Sequence, residues 1–134
     1  MKRLLPALAA FLGLGAAGGL AFLLSTRRMV IEGRSMEPAY SRGERVLVNK
    51  LAYLRSKPGT GDVVIVRRTG EARGLHVKRI AAGPGEEIES WGEKRRLGPD
   101  EWWVLGDNPD DSTDSRQLGP VRTGEIAGKV ILKY

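Results

Sequence analysis

Twenty-one consecutive residues, Leu4 to Leu24, carry no charge: LLPALAAFLGLGAAGGLAFLL. As a helix rising about 1.5 Å per residue, the run spans about 30 Å, the thickness of a bilayer's hydrocarbon core. Lys2 and Arg3 precede it, and Arg27 and Arg28 follow. The run therefore predicts a single N-terminal transmembrane helix. The alternative is a cleaved targeting peptide, with Met1–Arg3 as its charged end and Gly15-Ala16-Ala17 as its cleavage site. The apolar run continues seven residues past Ala17, which argues against cleavage there. Gly15 and Gly19 form a G-x-x-x-G helix-pairing pattern, of little weight in a run so rich in Gly and Ala. The basic residues on the two sides nearly balance, so charge alone gives no direction of insertion.

A chain of 134 residues divides on this basis into an anchor, residues 1–28, and one small domain, residues 29–134. The net charge of +6 invites a nucleic-acid reading, but its distribution opposes one. With Lys2, Arg3, Arg27 and Arg28 set aside, 18 basic residues stand against 16 acidic ones, with no concentrated basic face in the sequence. Basic flanks of an apolar run suit anionic lipid instead. The chain has no cysteine, which excludes disulfides, thiol catalysis and Cys-based metal sites. Its one histidine, His76, makes a zinc site improbable, so neither metal nor cofactor is expected.

The domain reads as short strands: Val46–Val48, Val63–Val66, Val77–Ala81, Trp102–Leu105 and Val130–Leu132. Pro58-Gly59, Gly61-Asp62, Gly83-Pro84-Gly85, Gly98-Pro99 and Gly119-Pro120 punctuate them, and Thr69–Gly74 reads as a hairpin loop. The expectation is a mostly β domain, a small antiparallel sandwich or barrel. Trp102 and Trp103 leave two options. Both touch lipid together with Met36, or strand alternation sends one ring inward and leaves the other outside.

Two polar segments stand out chemically. Gly33-Arg34-Ser35-Met36-Glu37-Pro38 holds a serine between a glycine and a proline, on a turn that can face a groove. Gly106-Asp107-Asn108 to Ser112-Thr113-Asp114-Ser115-Arg116 is a polar loop whose side chains can bond their own backbone. Each segment alone reads more readily as an ordinary loop.

Together with Gly43-Glu44-Arg45-Val46-Leu47-Val48-Asn49-Lys50, Gly61-Asp62-Val63-Val64 and Val77-Lys78-Arg79-Ile80, these segments resemble the motif boxes of the type I signal peptidases, in the family's order. Pro109, Ala39-Tyr40 and Glu44 depart from the family's usual residues without removing a reacting group. The stretch Glu87–Trp102 is short where larger members carry an inserted domain.

The resemblance implies a membrane-anchored serine endopeptidase that removes signal peptides from exported preproteins after small residues (A-x-A). It implies a plasma-membrane protein with a cytoplasmic N-terminus and an extracytoplasmic catalytic domain. Ser35 would be the nucleophile and Lys78 the general base. Ser112 would orient the lysine, Asp114 and Arg116 would form an ion pair, and Asp107 would structure the loop. Ile31 and Val77 would line the substrate pockets. The partners implied are preprotein signal peptides and membrane lipid; no oligomeric state follows.

A serine hydroxyl needs a base, and an ordinary lysine titrates at about 10.4, so the fold must disfavour the ammonium form by desolvation. On a strand Lys78 and Ile80 share a face opposite Val77. Some relatives carry a hydroxyl two residues before the nucleophile to hold the oxyanion; here that residue is Gly33. His76 is the rival base, since one branch of the family uses histidine, but the histidine there occupies the position of Lys78.

Overall fold

The computed structural model describes residues 4–70 and 74–134, with side chains from residue 10 onward. Lys2 and Arg3 of the expected basic flank, and residues 71–73 of the expected hairpin loop, lie outside the described residues.

Helix α1 (Leu4–Ser25) runs directly into strand β1 (Thr26–Val30). The Ser25 and Thr26 hydroxyls donate to the Phe22 and Leu23 carbonyls at 2.8 and 3.1 Å, satisfying last-turn acceptors. Every side chain from Ala10 to Leu24 is exposed, among them Phe11, Leu14, Phe22 and Leu24. Among the described residues no helix is long and apolar enough to cross a membrane. The described side chains of α1 begin at Ala10, partway along the uncharged run.

The remaining strands are β2 (Arg45–Asn49), β3 (Val63–Val66), β4 (His76–Ala82), β5 (Glu87–Ser90), β6 (Glu93–Arg96), β7 (Glu101–Leu105), β8 (Val121–Arg122) and β9 (Ile126–Lys133). Seven of the strands form one antiparallel sheet in the order β1-β2-β9-β3-β4-β7-β8, while β5 and β6 make a separate hairpin. Every strand run expected from the sequence is present. The last strand, β9, lies between β2 and β3, so the sheet is complete only once the C-terminal residues have paired.

Instead of two stacked sheets or a closed barrel, the domain has one sheet with β1 and β8 as its edges. Register shifts at Leu47/Val48, Ile65/Val66 and Ile80/Ala82 disrupt the ladder locally, and such bulges bend a sheet and raise its twist. Both faces are covered. Val46, Val48, Val63, Ile65 and Val130 pack with Ile31 and Met36 of the loop after β1. Val64, Val66, Ile80, Val104 and Val121 pack with Trp102 on the other side. All four residues of β3 are buried for this reason, and its sequence is a continuous apolar run.

The tryptophan expectation fails in both its forms. Trp102 and Trp103 do alternate in direction, yet they are only 6% and 7% exposed. Trp102 enters the second core and its indole donates to Thr123 Oγ1 at 2.9 Å. Trp103 is roofed by the hairpin, against Ala82, Ile88 and Leu97. Met36, also expected at lipid, is 1% exposed beneath the loop. The exposed indole is Trp91 at the hairpin tip, 81% accessible, which the sequence reading passed over.

Candidate active site

Lys78 sits midway along β4, opposite Val64 of β3. Alternation buries Lys78 and Ile80 on one face, as the sequence pattern requires. Lys78 is 5% exposed. A cavity of about 80 Å³ beside it is walled by Val66 of β3, Val104 of β7 and Leu118 of helix α2 (Ser115–Leu118). These are the apolar neighbours that the local sequence around Lys78 lacks. Burial is the largest influence on the amine and pushes its pKa below the ordinary lysine value; Arg116 and Arg68 push the same way, against Asp114. A buried amine favoured in its neutral form is what a general base requires.

Among the described residues the amine makes one hydrogen bond, Lys78 Nζ to Ser112 Oγ at 3.1 Å. Ser112 Oγ in turn donates to Asp114 Oδ2 at 2.7 Å. Asp114, fully buried, is gripped by Arg116 through Nε at 2.9 Å and Nη2 at 2.6 Å. It also accepts from the Gly106 N–H at 2.8 Å and the Arg116 N–H at 3.1 Å. Burial pushes the Asp114 carboxyl up, but these donors together outweigh burial and hold its pKa down at about 2. Asp114 also caps α2, where Gln117 returns a bond to its backbone N–H in a capping box. One carboxylate thus starts a helix, anchors an arginine and aims the serine that holds the lysine.

Ser35 lies in the loop between β1 and β2. The loop is joined to the polar segment by the Asn108 N–H, which donates to the Ser35 carbonyl at 2.9 Å, and by Asn108 Nδ2, which donates to Arg34 O at 3.2 Å. Gly106 marks where the two halves meet. A Cβ there would collide with the Ser112 side chain and stand 2.6 Å from the Ser35 carbonyl, so only glycine fits. Among the described residues the Ser35 hydroxyl makes no hydrogen bond with Lys78. It borders a groove of about 480 Å³ that also takes in Ile31, Gly33, His76 and Val77. The residues singled out in the sequence fall into separate groups: Ser35, Ile31 and Val77 border the groove, and Lys78, Ser112, Asp114 and Arg116 form one bonded chain.

Asp107 belongs to a second pair. Arg79, adjacent to the lysine, donates to both its oxygens at 2.9 and 2.8 Å and also to Gly61 O at 3.1 Å. The sequence reading assigned Asp107 a structural place without naming this partner. Strand alternation signals it, because a residue next to a buried lysine must point to the opposite face. Trp91 was also missed: its indole donates to Arg116 O at 2.8 Å, tying the hairpin to α2.

Residues 2–94 and 88–134 match the family described as signal peptidase, peptidase S26. The chain belongs to the type I signal peptidase family. Among its relatives in the curated comparison, mitochondrial inner membrane protease subunit 1 of Schizosaccharomyces pombe is 38% identical over 108 residues, covering 75% of this chain and 68% of its own. Mitochondrial ATP-independent inner membrane protease subunit 1a of Arabidopsis thaliana is 31% identical over 122 residues, 84% and 71% of the two chains. Inactive signal peptidase IA of Staphylococcus aureus is 26% identical over 136 residues, 78% and 76%.

Proposed function

We propose that this signal peptidase is an active, membrane-anchored serine endopeptidase that cleaves preprotein signal peptides after A-x-A. The observation that carries the reading is Lys78, a desolvated amine that is bonded to Ser112 and whose pKa burial holds down. A buried lysine without a carboxylate on it has a cost in stability and no structural benefit. A base for a neighbouring hydroxyl explains it.

In the proposed reaction neutral Lys78 takes the Ser35 proton as Oγ attacks the scissile carbonyl. The Ser35 N–H and a second donor hold the oxyanion. The lysine ammonium gives its proton to the leaving amine, and a water activated by the same amine hydrolyses the acyl-serine. Free peptidases often close the base–nucleophile bond only with substrate in place, so the open hydroxyl of Ser35 is consistent with this sequence of steps. Ile31 and Val77 flank the groove where shallow pockets would accept alanine-sized side chains. The anchor is supported by the uncharged run Leu4–Leu24 and by the uncovered apolar side chains of α1. With residues 1–28 as anchor, residues 29–134 form the catalytic domain on the extracytoplasmic side of the plasma membrane. The names of two relatives make an inner mitochondrial membrane the alternative location.

The test is preprotein cleavage by full-length protein in detergent, comparing wild type with Ser35→Ala, Lys78→Ala and His76→Ala, each checked for folding. Loss in the first two with activity kept in the third is the expected result. Loss only in His76→Ala would move the base. A folded wild type inactive at enzyme excess from pH 6 to 10 would favour the second reading, a non-cleaving relative like the one named inactive.

A further inference from the structure

A second cavity is larger than the groove at Ser35. It measures about 690 Å³ and is walled by β1, β2, β3 and the segment around Arg122. Five cations border it, namely Arg27, Lys50, Arg67, Arg68 and Arg122, and they come from four separate stretches of chain. Against two carboxylates, Asp100 and Glu125, they leave the cavity with an excess of positive charge that favours an anion.

The two carboxylates on its wall attract Arg68 and Arg122 at a distance, and both are held by backbone N–H groups. Glu125 accepts the Thr69 and Arg122 N–H groups, both at 2.8 Å, and Asp100 accepts the Thr123 N–H at 3.1 Å. Among the described residues no ion pair joins Arg27, Lys50, Arg67 or Arg122 to a carboxylate. Arg68 donates to the Gly119 carbonyl, an uncharged acceptor. The floor is apolar, made of Met29, Val48 and Ile65. A basic rim over an apolar floor matches an anion that carries a hydrophobic body, and matches free phosphate poorly.

Two further observations say where that anion comes from. Arg27 and Met29 follow the apolar helix by two and four residues of β1, so these two wall residues lie about 7 and 13 Å along the strand from the end of α1. Met29 and Leu75 also border the Ser35 groove, so the two spaces adjoin. We propose that this cavity binds the phosphodiester headgroup of an anionic phospholipid such as phosphatidylglycerol, with the glycerol and upper acyl carbons on Met29, Val48 and Ile65. Bound lipid holds the domain against the bilayer and presents the groove at the level where an extended substrate leaves the membrane. The inference rests on the membrane-anchored reading above.

The experiment uses full-length protein in zwitterionic micelles. Thermal unfolding is followed as dioctanoyl-phosphatidylglycerol, dioctanoyl-phosphatidylcholine or inorganic phosphate is added, for wild type and for the double variant Arg67→Gln, Arg122→Gln. Both side chains are exposed, so the variant should fold. Phosphatidylglycerol should raise the wild-type Tm saturably, phosphatidylcholine should not, and the double variant should need at least tenfold more lipid for the same shift. Equal shifts with inorganic phosphate would overturn the lipid in favour of a simple anion site. Equal shifts in wild type and variant would overturn the cavity. Flotation separates the two readings. Protein that floats with phosphatidylcholine vesicles but shows no phosphatidylglycerol shift keeps its anchor and loses this site, whereas protein that floats with no vesicle loses both.

Discussion

The two halves of the active site are built on opposite principles. Lys78 is bonded in a chain that runs through Ser112 and Asp114 to Arg116, beside a small cavity that Val66, Val104 and Leu118 help to wall. Around Ser35 the backbone is tied down by Asn108, but the hydroxyl faces an open groove and makes no bond to the lysine. The difference follows from what each group must do. A lysine becomes a base only when water is kept from its ammonium form, so its surroundings must be complete before substrate arrives. A nucleophile must meet a peptide, so its surroundings must be left for the substrate to complete. Rigidity on one side and access on the other are separate requirements, and the fold assigns them to separate segments: a central strand and a helix cap for the proposed base, a surface loop for the proposed nucleophile.

Breaking the closed half should have the largest effects. Lys78→Met should abolish turnover, a loss of at least about 10³-fold. The same variant should be more stable than wild type at pH 7. Because the folded pKa of Lys78 lies below its unfolded value, folding opposes protonation of this group at every pH below the unfolded pKa, and most strongly below the folded one. Removing the amine removes that cost, so Tm should rise by a few °C, on the order of 1 kcal/mol. A lower Tm would mean that the amine is a structural group.

Arg116→Ala leaves the buried Asp114 carboxylate without its bidentate partner and should destabilise the fold by about 2–3 kcal/mol in urea titration. Acid tests the same carboxylate without mutation. With its folded pKa at about 2, below the ordinary value of 3.8, Asp114 contributes stability above pH 4 that is lost as pH falls from about 4 to about 2. That contribution is on the order of 2 kcal/mol, and the urea midpoint measured across the window should show it. A flat midpoint would mean that the Asp114 network also holds in the unfolded chain.

Sharpening the open half should have a smaller effect, of opposite sign. A Cβ at Gly33 would stand 4.0 Å from the Ser35 nitrogen with nothing closer, so Gly33→Ser has room to add a hydroxyl near the oxyanion position. One donor gained there should raise kcat by about tenfold, part of the ~10²–10³-fold that such donors contribute where they are native. An unchanged kcat would mean that a second donor is already present. The smallest change expected is for Trp91→Ala, which removes the indole bond to Arg116 O from an exposed site. It should lower stability by about 0.5–1 kcal/mol and leave kcat within about twofold.

Alternation along a strand is a local rule, and it correctly placed Lys78 beside Ile80 and set Trp102 and Trp103 on opposite faces. Whether a face is wet depends on what comes to cover it. Trp103 is buried because the β5–β6 hairpin folds over it, and that hairpin reads in sequence as a run of charges, Glu87-Ile88-Glu89 and Glu93-Lys94-Arg95-Arg96. Its strands are mostly exposed on one face and carry little apolar pattern, so nothing local announced them.

Residue types in order along the chain determined the mostly β character, the family and the membership of the polar loop. All of these follow from short-range signals: turn residues, β-branched runs and motif spacing. Tertiary structure decided how dry Lys78 is, which carboxylate Arg79 takes, and that one bent sheet replaces a sandwich. Each of those depends on contacts between residues far apart in the chain, such as Leu118 against Lys78 or β9 between β2 and β3. Desolvation and pairing are properties of what surrounds a group in space, and no window of neighbouring residues contains that information.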